Sequence, residues 1–333
     1  MTPILHSVSA LKPFLKKEKP SRVCIVTSKK VLPHVRWAVQ TLKKLKPTAI
    51  LVPDGEKAKQ WHVLEKLLKD FSHRGLDRES IVVILGGGTV GDLAGFAASI
   101  YMRGIRYVQI PTTLVAQVDS AHGGKTGIDF LGAKNQVGAF YPANAIVIDH
   151  RFIKSLSKSQ IVDGLGEIIK YGLIKDPSIL ALLAQETVRS IQKSPKLASI
   201  IEQSIRVKDF YTSSDFKEQK GRIVLNFGHT YGHAIELKYG VSHGYAVLIG
   251  MLAELQLGEK LGITPIFVRK NLLAFLDKLG IDVGGAFKFD ARLLDHDKKV
   301  KGKAIVLPVI VREGQAKLVA ISTRRLKELL SNI

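Results

Sequence analysis

Short apolar runs alternate with helical spacings through the first half of the chain. Val23, Cys24, Ile25 and Val26 predict a strand over 22–27, and Val31, Val35, Ala38, Val39 and Leu42 recur at helical intervals over 31–45. A second strand is predicted at 49–52. A helix follows over 60–73, carried by Val63, Leu64, Leu67, Leu68 and Phe71. The continuous apolar run over 80–85 ends at Gly86-Gly87-Gly88, and further strands are predicted at 107–110 and 145–148. Strands alternating with helices imply a mostly parallel sheet with right-handed crossovers.

Beyond residue 150 the texture changes. Helical patterns dominate over 159–174, 178–193, 197–214, 229–239, 244–261 and 268–279, and strand-like pieces return only at 304–311 and 317–321. The expected architecture is an α/β, Rossmann-like parallel-sheet domain over residues 1–154 and a mainly α-helical domain over 155–333. A length of 333 residues is ample for two such domains.

Composition narrows the classes. The lone cysteine, Cys24, cannot form an internal disulfide and lies in an apolar run, so it reads as core in a reducing compartment. No apolar stretch approaches the roughly 20 residues of a membrane span. The residues after Met1 lack the order of a signal peptide. The expectation is a cytoplasmic protein with no membrane partner.

Lys and Arg number 50 against 29 Asp and Glu, a net charge of +21, and residues 1–60 alone hold 13 basic and 3 acidic side chains. That balance points to anionic partners without fixing which. Nucleic-acid binding calls for basic residues interleaved with aromatics or a groove-reading motif, and neither is present.

Gly86, Gly88 and Gly91 satisfy G-x-G-x-x-G between a predicted strand and an alanine-rich helix, the context in which glycines let a pyrophosphate approach a helix N-terminus. A glycine turn can equally serve only to close the chain tightly. The turn at 53–59 carries Asp54, Glu56 and Lys59 after an earlier strand, where a carboxylate either holds a ribose or caps a turn.

Residues 111–135 set Asp119, Lys125, Lys134 and Asn135 among glycines. They read as a loop presenting two ammonium groups, an amide and a carboxylate to a small polar ligand. Gly123-Gly124-Lys125-Thr126 is not a Walker A loop, because Asp119 stands where the first glycine belongs.

His229 and His233 are spaced i, i+4, His243 follows ten residues later, and Glu167 and Lys170 sit in an apolar helical stretch. Two imidazoles and a carboxylate with an open fourth position would form a catalytic zinc shell. Each residue taken singly also fits a cap, a satisfied core histidine or a surface acid. Thr230 after His229 excludes the H-E-x-x-H pattern of metalloproteases.

The blocks 86–92, Tyr101-Met102-Arg103-Gly104, 111–119, 123–129, Lys134-Asn135, 167–172, 226–236 and His243-Gly244 occur in one order between residues 54 and 307. Together they resemble the 3-dehydroquinate synthases, members of the sugar phosphate cyclases. The resemblance implies an NAD-binding α/β domain, a helical domain holding a divalent metal (zinc, with cobalt as an alternative), and a homodimer.

It also implies conversion of 3-deoxy-D-arabino-heptulosonate 7-phosphate to 3-dehydroquinate and phosphate. The steps are transient oxidation by NAD, β-elimination of phosphate, reduction, ring opening and intramolecular aldol closure. By resemblance the metal ligands are Glu167, His229 and His243, with His233 handling a proton. Substrate contacts fall on Arg103, Asp119, Lys125, Asn135, Lys170, Lys208, Arg222, Asn226 and Lys298 or its neighbour Lys299, Arg103 reaching the partner subunit's site. The cofactor side falls on Asp54, Glu56, Lys59, Gly88, Gly91, Asp92, Thr112, Thr113, Lys125, Lys134 and Ser155.

Three departures stand out. Tyr245 occupies the place after His243-Gly244 where the family usually has a glutamate, which weakens a supporting carboxylate there. His122 replaces a small residue and either adds an imidazole near the site or fills space. Little precedes the strand at 22, so the family's opening β-hairpin is expected to be missing or reduced. Two related activities share the expected fold: a cyclase acting on sedoheptulose 7-phosphate or glucose 6-phosphate, and a metal-dependent alcohol dehydrogenase.

Overall fold

The computed structural model describes residues 2–218, 221–284 and 304–330. The chain divides into two compact units, Met1–Leu156 and Ser157–Ile333. Cys24 is a buried free thiol, and no described helix is long and apolar enough to cross a membrane.

In the first unit the strands are β1 (Ile4–Leu5), β2 (Val23–Ser28), β3 (Thr48–Val52), β4 (Ile81–Gly86), β5 (Arg106–Pro111) and β8 (Ala145–Val147). They form one sheet in the order β1-β8-β5-β4-β2-β3, parallel at every pairing. All six residues of β2 and of β4 are buried, as expected of central strands covered on both faces.

The chain leaves β2 for the edge at β3 and returns to the far side of β2 as β4. Their carboxyl ends therefore flank the point where strand order reverses, the usual ligand crevice of such sheets. The helices are α1 (Val8–Glu18), α2 (Leu32–Leu42), α3 (Trp61–His73) and α4 (Gly88–Ile100).

The residues before 22 do more than the sequence suggests. Ile4 and Leu5 pair with Ile146 and Val147 along the outer side of β8. Val8, Leu11 and Leu15 bury one face of α1 in the same core as Val35, Ala38 and Leu42. The Val8 amide donates to Asp149 Oδ2 at 3.1 Å, tying the start of α1 to the end of β8. The sheet edge is thus covered by a short parallel strand.

The stretch expected as a loop around Lys125 and Lys134 is an antiparallel hairpin, β6 (Lys125–Phe130) and β7 (Ala133–Phe140). Leu131 (φ 47°) and Gly132 (φ 77°) make a two-residue turn with both φ positive, the geometry that matches hairpin twist. Gly127 and Gly138 face each other so closely that a Cβ on either would meet the opposite backbone. Glycines here serve strand contact, which is why the pattern reads as a loop.

The second unit is built from α5 (Lys158–Ile174), α6 (Ser178–Leu183), α7 (Leu197–Ser214), α8 (His229–Tyr239), α9 (His243–Lys260) and α10 (Ile266–Leu279). They are joined by an antiparallel pair, β9 (Ala304–Arg312) and β10 (Gln315–Ser322), and by α11 (Thr323–Leu330). The helix expected over 178–193 stops at Leu183, and only a short turn follows at Ile191–Lys193. Ser157 and Gln160 form a reciprocal capping box that fixes where α5 begins.

The helices meet backbone to backbone. Gly166 of α5 lies against Gly244 of α9, and Gly250 of α9 lies against the carbonyl of Gly228, so closely that no Cβ would fit at either glycine of α9. Gly228 precedes α8 at φ 80°, a conformation that L side chains rarely adopt. These contacts draw α5, α8 and α9 together.

Candidate active site

Each of these three helices brings one side chain to a common point in the second unit. Glu167 on α5 is fully buried. Its Oε1 lies 3.3 Å from His229 Nε2, at the first position of α8, and 3.3 Å from His243 Nε2, at the first position of α9. The three ligand-type atoms all fall within 4.8 Å of one another. The edge of a tetrahedron with metal–ligand bonds of about 2.0–2.1 Å is about 3.3–3.4 Å, so the donor set fits a zinc-type ion in kind and spacing.

The second nitrogen of each histidine is committed elsewhere. His229 Nδ1 is 3.2 Å from the Phe227 carbonyl, and His243 Nδ1 is 3.2 Å from Glu236 Oε2. With Nδ1 occupied in this way, Nε2 is the nitrogen that each ring would offer to a metal. Lys170, one turn along α5, places its ammonium on Glu167 Oε2.

Charge balance follows from this packing. Burial works against the Glu167 carboxylate, but Lys170 and His229 hold it well below the usual range. Burial and the Lys170 charge push His229 down. Burial opposes a charged His243 too, yet its bonds to Glu167 and Glu236 raise it to about 10.

His233 is exposed, and its ring centroid stands 5.4 Å from that of His229 and 6.2 Å from that of His243. The i, i+4 pair therefore splits, with one imidazole in the ligand cluster and one beside it. Lys208 is buried on α7. Arg222 is buried in the turn Gly221–Asn226 and donates to the Phe216 carbonyl at 2.7 Å. Asn226 donates to Glu218 Oε1 at 2.9 Å. Lys298 and Lys299 lie outside the described residues.

A polar cluster occupies the carboxyl ends of the strands in the first unit. Lys59, almost wholly buried, bonds Asp92 Oδ2 at 2.6 Å and also Asn135 Oδ1. Burial outweighs the Lys59 charge and raises Asp92 to about 6. The Asn135 amide donates to Asp129 Oδ1 at 2.8 Å, and the Asp129 amide donates to the Lys59 carbonyl at 2.8 Å. Lys59 and Asp92, expected on the cofactor side, and Asn135, expected on the substrate side, are thus brought together.

Thr112 and Thr113 lie beside the glycine turn, and other expected residues follow neighbouring strands. The turn Gly86–Gly88 opens directly into α4, which begins at Gly88. Gly91 packs on the Gln109 side chain so tightly that a Cβ would collide with it. Thr112 and Thr113 follow β5, the Thr112 amide donating to the Gly86 carbonyl at 3.0 Å. Asp54 follows β3 and accepts from the Lys30 amide at 3.1 Å, and Glu56 is exposed in the turn Gly55–Ala58.

The Ser155 hydroxyl donates to the Phe152 carbonyl. Asp119 lies in the wide turn Ala116–Ser120, and Lys125 and Lys134 are exposed on the hairpin strands. Arg103 is exposed and follows Met102 in the left-handed region, at φ 69° and 50°. His122 is buried, its Nε2 2.9 Å from the Gln117 carbonyl, so its ring braces the turn that carries Asp119.

One contributing residue has no role in the sequence reading. Glu236 belongs to the quoted block 226–236, and it lies seven residues after His229 on the same face of α8.

The fold, a Rossmann-like parallel sheet with a glycine turn into a helix followed by a helical unit, is that of two solved sugar phosphate cyclases. The chain superposes on 2-deoxy-scyllo-inosose synthase, solved with carbaglucose-6-phosphate, NAD+ and Co2+. The TM-score is 0.87 at 24% identity, covering 99% of this chain and 96% of that one. It superposes equally on 2-epi-5-epi-valiolone synthase from Streptomyces hygroscopicus subsp. jinggangensis, solved with NAD+ and Zn2+, with a TM-score of 0.87 at 23% identity over 100% and 96% of the two chains.

Sequence likeness is more specific. Residues 49–163 match the 3-dehydroquinate synthase N-terminal model and 164–300 the C-terminal model. The 3-dehydroquinate synthase of Dictyoglomus thermophilum is 41% identical over 276 residues, 81% of this chain and 78% of that protein. The chain belongs to the 3-dehydroquinate synthase family.

Proposed function

We propose that the chain converts 3-deoxy-D-arabino-heptulosonate 7-phosphate to 3-dehydroquinate and inorganic phosphate, with NAD and a divalent metal, zinc first, as cofactors. One observation carries the reading. Both family models match in succession, and the cluster Glu167–His229–His243 falls inside the second with spacing suited to a zinc-type ion.

Glu167, His229 and His243 would hold the metal, which when bound supplies a Lewis acid for the hydroxyl to be oxidised. The glycine turn and the start of α4 would take the NAD pyrophosphate, with Asp54, Thr112, Thr113, Lys134 and Ser155 around it. Glu56, Lys59 and Asp92 complete that side.

The substrate is an anion at both ends, which accounts for cationic anchors at Lys125, Lys170, Lys208, Arg222 and Lys298, with Asp119, Asn135 and Asn226 on its hydroxyls. His233, exposed beside the ligand histidines, takes and returns a substrate proton at its ring nitrogen. In a homodimer Arg103 would serve the partner's site. In this reading the chain acts in the cytoplasm, as part of aromatic amino acid biosynthesis.

The test is phosphate release from three sugar phosphates assayed in parallel with NAD+ and Zn2+. The heptulosonate phosphate should release phosphate and form 3-dehydroquinate with no net NADH. Faster release from sedoheptulose 7-phosphate or glucose 6-phosphate would reassign the substrate. Sustained NADH production would make the chain a dehydrogenase.

A further inference from the structure

We infer that Glu236 is a positioning residue for the metal centre, its carboxylate holding the His243 ring by Nδ1 so that Nε2 stays turned toward Glu167. The inference rests on the reading of Glu167, His229 and His243 as ligands.

The two histidines are secured differently. The His229 side chain is 13% exposed and the His243 side chain 37%, so packing holds the first ring far more than the second. The backbone at His243 is well fixed, because Asp163 Oδ1 accepts from the Gly244 amide at 3.0 Å and Gly244 lies against the Asp163 backbone. What remains loose is rotation of the ring about its two side-chain torsions.

Glu236 removes that freedom. Its Oε2 lies 3.2 Å from Nδ1, while Nε2 on the opposite side of the ring lies 3.3 Å from Glu167 Oε1. The Glu236 side chain is itself only 19% exposed, which limits competition from water for that bond. A carboxylate on the outer nitrogen fixes the tautomer and makes the inner nitrogen a stronger donor to a metal.

α8 therefore contributes one ligand directly and supports the ligand on α9. Tyr245, two residues after His243, does not share the task, since its hydroxyl donates to the Asp282 carbonyl at 2.7 Å.

The experiment measures Zn2+ affinity of the chelator-stripped full-length protein by competition with a chromophoric chelator, and records the visible spectrum of the Co2+-loaded form. Glu236→Ala should weaken Zn2+ binding by about 10–100-fold and shift the Co2+ bands. Glu236→Gln keeps an acceptor for Nδ1 without the charge and should fall between wild type and Ala. Ala binding within twofold of wild type, with unshifted bands, would overturn the inference while leaving the ligand reading intact. Should the Ala variant not fold, Gln decides, and affinity and bands identical to wild type would overturn it. Wild-type protein that binds no Zn2+ would remove the ligand reading and the inference together.

Discussion

Lys170 and Glu167 divide one carboxylate between two tasks. The Lys170 ammonium takes Oε2, and Oε1 is left facing His229 and His243 at 3.3 Å each. Both members of the pair are almost wholly buried, so neither charge is compensated by water. Lys170→Met should cost about 3 kcal/mol in the chelator-stripped protein, because it strands a buried carboxylate. Denaturant unfolding measures it, and a loss near zero would mean that the histidines alone neutralise Glu167.

Asp92 gives a pH dependence of known sign. Burial raises it from 3.8 to about 6 despite Lys59. Between those values the folded state holds more protons than the unfolded one, so its contribution to stability falls as pH rises from about 4 to about 6 and stays low above. The full effect is about 3 kcal/mol at most. Stability measured at several pH values should decline less steeply across that window in Asp92→Asn than in wild type. Parallel curves would show that Asp92 titrates normally.

In the proposed function Lys208 and Arg222 serve the substrate and not the cofactor. Replacing Lys208 by Ala should lower kcat/KM for the heptulosonate phosphate by about 10–100-fold, the range for losing a charge-assisted hydrogen bond, with NAD+ affinity unchanged. Arg222→Ala should do the same and also destabilise the protein, because its guanidinium holds the Phe216 carbonyl from a buried position. Titration of NAD+ by protein fluorescence distinguishes the two effects. A variant that loses NAD+ binding while keeping its KM for substrate would reverse the assignment.

Gly250 tests whether helix contact sets the ligand spacing. A methyl there would run into the Gly228 carbonyl just before His229. Gly250→Ala should destabilise by about 1–3 kcal/mol through overpacking and weaken Zn2+ binding, although residue 250 is not itself one of the proposed ligands. Thermal melting together with chelator competition checks both. Unchanged metal affinity would mean that α8 can shift without moving His229 relative to Glu167.

Much of the fold is written locally. The buried parallel strands are apolar runs, and 197–214 and 229–239 read as helices at the bounds they adopt. The hairpin β6–β7 was illegible because its strands are partly exposed and carry glycine and charge where a pattern needs apolar alternation. Helix α1 hides its buried Val8, Leu11 and Leu15 behind Pro13 and a run of lysines.

The Glu-His-His cluster joins residues 167, 229 and 243, which no local period relates, and only the family resemblance singles them out. Spacing alone suggests His229 with His233, whereas the structure puts His233 to one side. Glu236 was legible in principle from its place seven residues after His229. That signal carries meaning only once His243 is known to lie across from it.

The glycine contacts that draw α5, α8 and α9 together have a bearing on how this sequence can vary. A scan of all single substitutions would return Gly166, Gly244 and Gly250 among the positions that accept almost nothing, alongside Glu167, His229 and His243. The first group would fail on volume and the second on chemistry, and a loss-of-function score alone would not tell them apart. Serine or alanine at the glycines and asparagine or glutamine at the proposed ligands would sort the two, since each replacement preserves one property and removes the other.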